Sequence, residues 1–205
     1  MAENQLNAVP ASSMELPPPT RDVEEGKRLL DEYGMFVHEG FLTPEQIKAL
    51  KERLVEQAEM ECEQGVALLS GQSRGGKTWY GSPEKGVLPG WQGISYLVNK
   101  GRPFIDLVMD KRLHEYAKHA FRSPSFHLSS STGLVVRRGA EPMVVHVDQQ
   151  FVPFPTPTPL YLNVMICLTE FEEEMGATRV VPKSHRFPAY PPRSEERRVG
   201  KECRL

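Results

Sequence analysis

The stretch "VVHVDQQF", Val144 to Phe151, sets an imidazole and a carboxylate two residues apart inside an apolar, β-branched run. In a strand, side chains at that spacing point to the same side. A charged carboxylate on an apolar strand must be paired or bound to metal, because burying it alone is costly. A neutral imidazole and a carboxylate oxygen are two of the three donors of a two-histidine, one-carboxylate iron site, which keeps positions open for chemistry. His146 and Asp148 are therefore the candidate metal ligands. The same pair also reads as an edge strand with both side chains in water, or as a plain histidine–aspartate hydrogen bond. The spacing is only mildly informative, and the residues by themselves leave the metal and structural readings in balance.

A second pattern is more specific in its letters. "GQSRGGKT", Gly71 to Thr78, fits the phosphate-loop pattern G-x-x-x-x-G-K-[ST]. That motif works only between a strand and a helix, because the helix N-terminus supplies the amides that hold phosphate. Here an apparent helix and "VALLS" precede it, and "WYGSPEKGVLPG" follows, where Pro and Gly forbid a helix. The nucleotide reading is rejected. A flexible loop with a solvated lysine, able to serve as a lid, is expected instead.

The elements that must position His146 and Asp148 follow from patterning. Residues 1–21 are polar, end in "PPPT", and read as a disordered arm. "RDVEEGKRLLDEYG" predicts a short helix closed by Gly34, and "MFVHEGFL" a strand. Thr43 as N-cap, Pro44 at the first helical position and Gln46 as capping-box partner mark the clearest helix start. Ile47, Leu50, Leu54 and Ala58 keep helical spacing and predict a buried stripe, with the helix ending near Gly65. Gly71 to Gly101, with Pro83 and Pro89, reads as a long loop region. "RPFIDLVMDKRLHEYAKHAF" is a second helical block. From Phe126 onward "FHLSSSTGLVV", "MVVHVD", "YLNVMICLT" and "ATRVVP" are short, β-rich and separated by turn residues. Helices first and strands later predict a β sandwich or barrel with helices on one side.

Bulk properties narrow the class. A chain of 205 residues with 39% hydrophobic and 25% charged residues suits one globular domain. A net charge of −2 gives no broad pull toward nucleic acid or anionic membrane. No apolar run reaches the length of a membrane span, and the first residues lack the pattern of a secretory signal. Three cysteines, Cys62, Cys167 and Cys203, form no motif and suit a reducing compartment, so the cytoplasm is the expected location.

"GAEPMVVHVDQQF" followed by "LNVMICLTEFEEEMGATRVVPKSHR" resembles the phytanoyl-CoA dioxygenase family, and "DEYGMFVHEGFLTPEQIKALKE" resembles that family's opening strand and helix. The resemblance runs from about Leu29 to Pro192. It implies a mostly β fold with N-terminal helices (α+β), built on a double-stranded β-helix, the jelly-roll or cupin-like barrel. It implies Fe(II) held by His146, Asp148 and a distal histidine, with 2-oxoglutarate as co-substrate paired to a later arginine. The implied reaction couples oxidative decarboxylation of 2-oxoglutarate by molecular oxygen to hydroxylation of a C–H bond in a small organic or lipid-like substrate. Ser131 and Asn163 are the implied 2-oxoglutarate contacts, against a plainer reading as hydrogen bonds within a sheet. The chain departs from the family's pattern at Met143, Ile166 and Lys183.

Only His185 follows Asp148, and the resemblance puts it too early for the distal ligand; it is expected to fix a turn. The last residues give a reason. "RSEERRVGKEC", Arg193 to Cys203, resembles the translation of a common short-read sequencing adapter, one codon per residue. The chain is therefore read as a disordered arm (1–21), a partial oxygenase domain (22–192) and a non-native tail (193–205), with an incomplete barrel. The tail holds five basic and three acidic residues, so the remainder carries a net charge of −4. Such a chain is expected to expose strand edges, fold poorly and turn over no substrate. Two rival readings are a non-catalytic jelly-roll scaffold and a cupin-type metal enzyme that does not use 2-oxoglutarate.

Overall fold

The computed structural model describes residues 15–70, 78–83, 89–138, 140, 146–149, 152, 159–187 and 203–204. Helix α1, Val23–Tyr33, begins at Asp22, whose carboxylate accepts from the Glu25 amide at 2.7 Å. It ends at Gly34, whose φ of 75° is the left-handed conformation that glycine adopts at no steric cost. Helix α2, Pro44–Glu63, starts with the expected capping box: Thr43 Oγ1 accepts from the Gln46 amide, and Gln46 Oε1 accepts from the Thr43 amide. Helices α3, Arg102–Val108, and α4, Lys111–Phe121, split the second helical block, with Asp110 capping α4 by accepting from the Arg112 amide.

Helices α1 and α4 pack through Leu29, Tyr116 and Ala117. Gly26 permits the approach, since a Cβ there would sit 2.9 Å from the Tyr116 hydroxyl of α4. His38 Nδ1 lies 2.7 Å from the Tyr116 hydroxyl and joins the loop after α1 to α4.

Two strands of the sheet lie inside Gly71 to Gly101, the stretch expected to be loop, and one lies in "FHLSSSTGLVV", where a strand was expected. Strands β1 (Ala67–Ser70), β2 (Thr78–Gly81), β3 (Trp91–Ile94) and β4 (Gly133–Val136) form an open antiparallel sheet in the order β2-β1-β3-β4. The register sets Leu69 opposite Gln92, and Gln92 opposite Val135, so these side chains share a face. Leu69, Ile94 and Gln92 on that face are fully buried under α2. Ile94 joins Leu50, Leu54, Ala58, Leu97 and Phe104 in the core, with Val135 packed against it. The opposite face carries Leu68, Gly93 and Leu134, in which Leu134 is exposed.

Several expectations need correction. The strand read in "MFVHEGFL" does not form; only an isolated parallel bridge joins Thr20 to His38. Of the arm, residues 1–14 lie outside the described residues. "YLNVMICLT" is irregular throughout, and "ATRVVP" contributes only β5, Arg179–Val180, paired with β6, Cys203–Arg204, inside the tail segment. The fold is mixed helix and antiparallel sheet rather than mostly β. Its helices run to 11, 20, 7 and 11 residues, whereas no strand among the described residues exceeds four. The missing ladders have a common cause: β propensity yields a strand only when a neighbour pairs with it. The phosphate-loop pattern falls between two antiparallel strands, with Thr78 opening β2 rather than a helix. Gly71 to Lys77 themselves lie outside the described residues.

Candidate metal centre

Val144 and Val145 lie outside the described residues, as does Met143. From His146 onward the chain is irregular and then turns at Asp148 and Gln149, so the expected strand does not run through the pair. The side chains nevertheless meet. His146 Nε2 lies 3.2 Å from Asp148 Oδ1, with both side chains partly open to water. Two donors bound side by side to one divalent ion at about 2.1 Å lie about 3 Å apart. The donor types and spacing thus fit a shared iron, and they fit a direct ion pair equally well.

The turn is tied to the segment that follows. Asn163 Nδ2 donates to Asp148 Oδ2. The Leu160 amide donates to Gln149 Oε1 at 3.3 Å, and the Val152 amide to the Gln149 carbonyl at 3.0 Å. Both oxygens of Asp148 are therefore engaged, one by an imidazole and one by an amide. Farther along, Thr178 Oγ1 lies 3.1 Å from Met165 Sδ.

Among the described residues no cluster of three or more histidine, cysteine, aspartate or glutamate side chains could hold a metal. His185 is placed against α1, in a short 3-10 turn, Ser184–Arg186. His185 Nε2 lies 3.2 Å from the Asp31 carbonyl, and Arg186 donates to the same oxygen at 2.8 Å. Burial pushes the His185 imidazole below its ordinary value. His185 thus sits in a turn, as expected, with its ring on α1. The remaining histidines have other surroundings. His38 is packed on Tyr116, and burial lowers its pKa. His114 bonds the Val108 carbonyl at 2.9 Å, His119 faces Asp31 at 3.0 Å, and His127 is exposed.

Ser131 lies just before β4, partly buried, and its carbonyl accepts from the Leu97 amide at 2.9 Å. Its surroundings are the turn between β3 and α3. Sequence reasoning missed a polar cluster beneath the sheet. Gln92 Nε2 donates to the Ala58 carbonyl at 2.8 Å, while Gln92 Oε1 accepts from Arg137 at 3.3 Å and from Cys62 Sγ at 3.5 Å. A glutamine in a glycine-rich stretch gave no periodic signal for its burial. Burial raises the thiol pKa of Cys62 and Cys167, which makes both poor nucleophiles. An open groove of about 750 Å³ runs along the outer side of α2 past Ile47, Lys51, Val55 and Leu168, and none of the candidate metal residues lines it. Among the described residues no helix is long and apolar enough to cross a membrane.

The described residues form a mixed α and β structure with a helix-backed antiparallel sheet, and an irregular segment carries the histidine–aspartate pair. Comparison with known proteins gives the class more closely. The family model for phytanoyl-CoA dioxygenase matches residues 30–202, and the chain belongs to that family. It is 25% identical to the dioxygenase trt7 of Aspergillus terreus over 175 residues, 82% of this chain and 56% of that protein. It is 26% identical to the multifunctional dioxygenase ausE of Emericella nidulans over 181 residues, 83% of this chain and 55% of that protein. It is 29% identical to the multifunctional dioxygenase prhA of Penicillium brasilianum over 94 residues, 42% of this chain and 31% of that protein. The chain thus spans about half or less of the length of these relatives.

Proposed function

We propose that the full reading frame encodes an Fe(II)- and 2-oxoglutarate-dependent dioxygenase, located in the cytoplasm, that hydroxylates a small organic or lipid-like substrate. The observation that carries this reading is the His146–Asp148 pair, 3.2 Å apart, inside a span matched to the phytanoyl-CoA dioxygenase family. His146 and Asp148 would hold the iron. Iron held there would activate molecular oxygen, the oxidant, with 2-oxoglutarate giving two electrons as it is decarboxylated to succinate, so that one oxygen atom goes to succinate and the other hydroxylates a C–H bond. The chain's own residues hold two donors on one side of a turn, open to solvent, so that co-substrate and oxygen can approach. Ser131 and Asn163 are the side chains assigned to the neighbourhood of 2-oxoglutarate. The partners are small molecules and oxygen, with no role for nucleic acid or membrane.

The third ligand and the arginine for 2-oxoglutarate are assigned to natural sequence that replaces residues 193–205 and continues beyond Pro192. The same continuation would supply the strands that close the jelly-roll barrel. Resequencing the source DNA past the codon for Pro192 tests this. The expected result is a continuing frame with a histidine some tens of residues beyond His185 and an arginine soon after. A natural stop near Pro192 would overturn it. A direct His146–Asp148 ion pair with no third donor among the described residues favours one second reading, a jelly-roll scaffold without catalysis. A histidine without the arginine would instead point to a cupin-type enzyme that does not use 2-oxoglutarate.

A further inference from the structure

The amide of Asn163 donates one hydrogen bond to Asp148 Oδ2. An ionised carboxylate has no proton to give, so Asn163 must offer its Nδ2 as donor. With Oδ2 held by Asn163, Oδ1 is the Asp148 oxygen turned toward His146 Nε2, 3.2 Å away. A carboxylate on an exposed turn otherwise rotates among several orientations, and each lost orientation costs entropy when a metal binds. A second tie, from the Leu160 amide to Gln149 Oε1, holds the same two segments together. Asn163 lies fifteen residues after Asp148, so the contact is tertiary and orients the turn from outside.

We infer that Asn163 is a positioning residue for the metal: its amide fixes the Asp148 carboxylate so that one oxygen alone faces the ion. The inference rests on the iron reading of His146 and Asp148, and it gives Asn163 a role distinct from a direct 2-oxoglutarate contact. Partners of this kind typically set metal affinity by 10- to 100-fold.

The test uses protein from the full reading frame, with Mn(II) binding followed by the paramagnetic resonance of the free ion. Asn163→Leu keeps the volume and removes the donor. Mn(II) affinity, measured without 2-oxoglutarate, is expected to fall about 10-fold or more. Unchanged Mn(II) affinity in N163L would overturn the inference. If N163L fails to fold, Asn163→Ser, which keeps a shorter donor, gives the same decision by an intermediate loss or by none. His146→Ala is measured alongside. Unchanged Mn(II) affinity there would overturn the iron reading itself, a result distinguishable from failure of the Asn163 role alone.

Discussion

The two faces of the four-stranded sheet have opposite fates. On one, Leu69, Gln92 and Ile94 are fully buried beneath α2. On the other, Tyr80 is 77%, Leu134 54% and Val136 48% exposed, although each is apolar. Both faces belong to the same strands, so local propensity cannot explain the difference. The covered face has a partner held by short-range signals: a capping box starts α2, and its apolar stripe falls on the sheet. The other face needs a partner, and no described strand supplies it. A strand reading in a sequence is therefore a statement about a neighbour as much as about the strand.

The largest expected contrast is between Ile94 and Leu134. In protein from the full reading frame, Ile94→Ala should cost about 3 kcal/mol in chemical denaturation, since it empties a fully packed position. If later strands cover the second face there, Leu134→Ala should cost about 2 kcal/mol as well. A loss below about 0.5 kcal/mol would mean that face stays open in the whole protein.

Gln92→Ala comes next. It removes the side-chain donor to the Ala58 carbonyl and the acceptor of the Arg137 guanidinium beneath the sheet, at an expected cost of about 2 kcal/mol. Gln92→Glu, which keeps the shape and adds a charge beside Arg137, separates the hydrogen bond from the packing. Thr43→Ala removes the α2 cap and should cost about 1 kcal/mol with the cooperativity of unfolding unchanged. A negligible loss would show that α2 is held by its apolar stripe alone.

Acid should act on both ends of α1. Burial lowers the pKa of His38 and His185, so the unfolded chain takes up protons first. Stability is then full above the ordinary histidine value of about 6.5 and falls as pH drops below it toward the depressed folded values. Denaturation midpoints between pH 7.5 and 5 should show this slope, and His38→Gln should reduce it. An unchanged slope in both His38→Gln and His185→Gln would contradict these assignments. The smallest effect concerns the open edge. In the 205-residue chain, Val136→Lys should lower light scattering on concentration, because a charge on an exposed strand opposes edge pairing.

What was legible in the sequence divides along the same line. Thr43, Pro44, Gln46 and Gly34 act within a turn of their own position, and each stands where its pattern put it. The stripe of Leu50, Leu54 and Ala58 is likewise local and is buried. Strands β1, β2 and β3 were hidden because four-residue strands among glycines and prolines carry no usable period. The strand expected near Leu160 failed for the converse reason, an apolar run being present and pairing not, and the one expected near Ala177 shrank to the two residues that find a partner, Arg179 and Val180. His146 and Asp148 were legible as chemistry, and their proximity survives without a strand to impose it. The tie from Asn163 could not be read, since a contact across fifteen residues of irregular chain leaves no spacing rule.

The most direct test of the central claim is succinate formation from 2-oxoglutarate by protein from the full reading frame, with and without Fe(II), beside His146→Ala. The proposal predicts iron-dependent succinate that falls at least about 100-fold in the variant, as expected when a metal ligand is lost. Folded, iron-loaded protein that makes no succinate above the level of His146→Ala would contradict it.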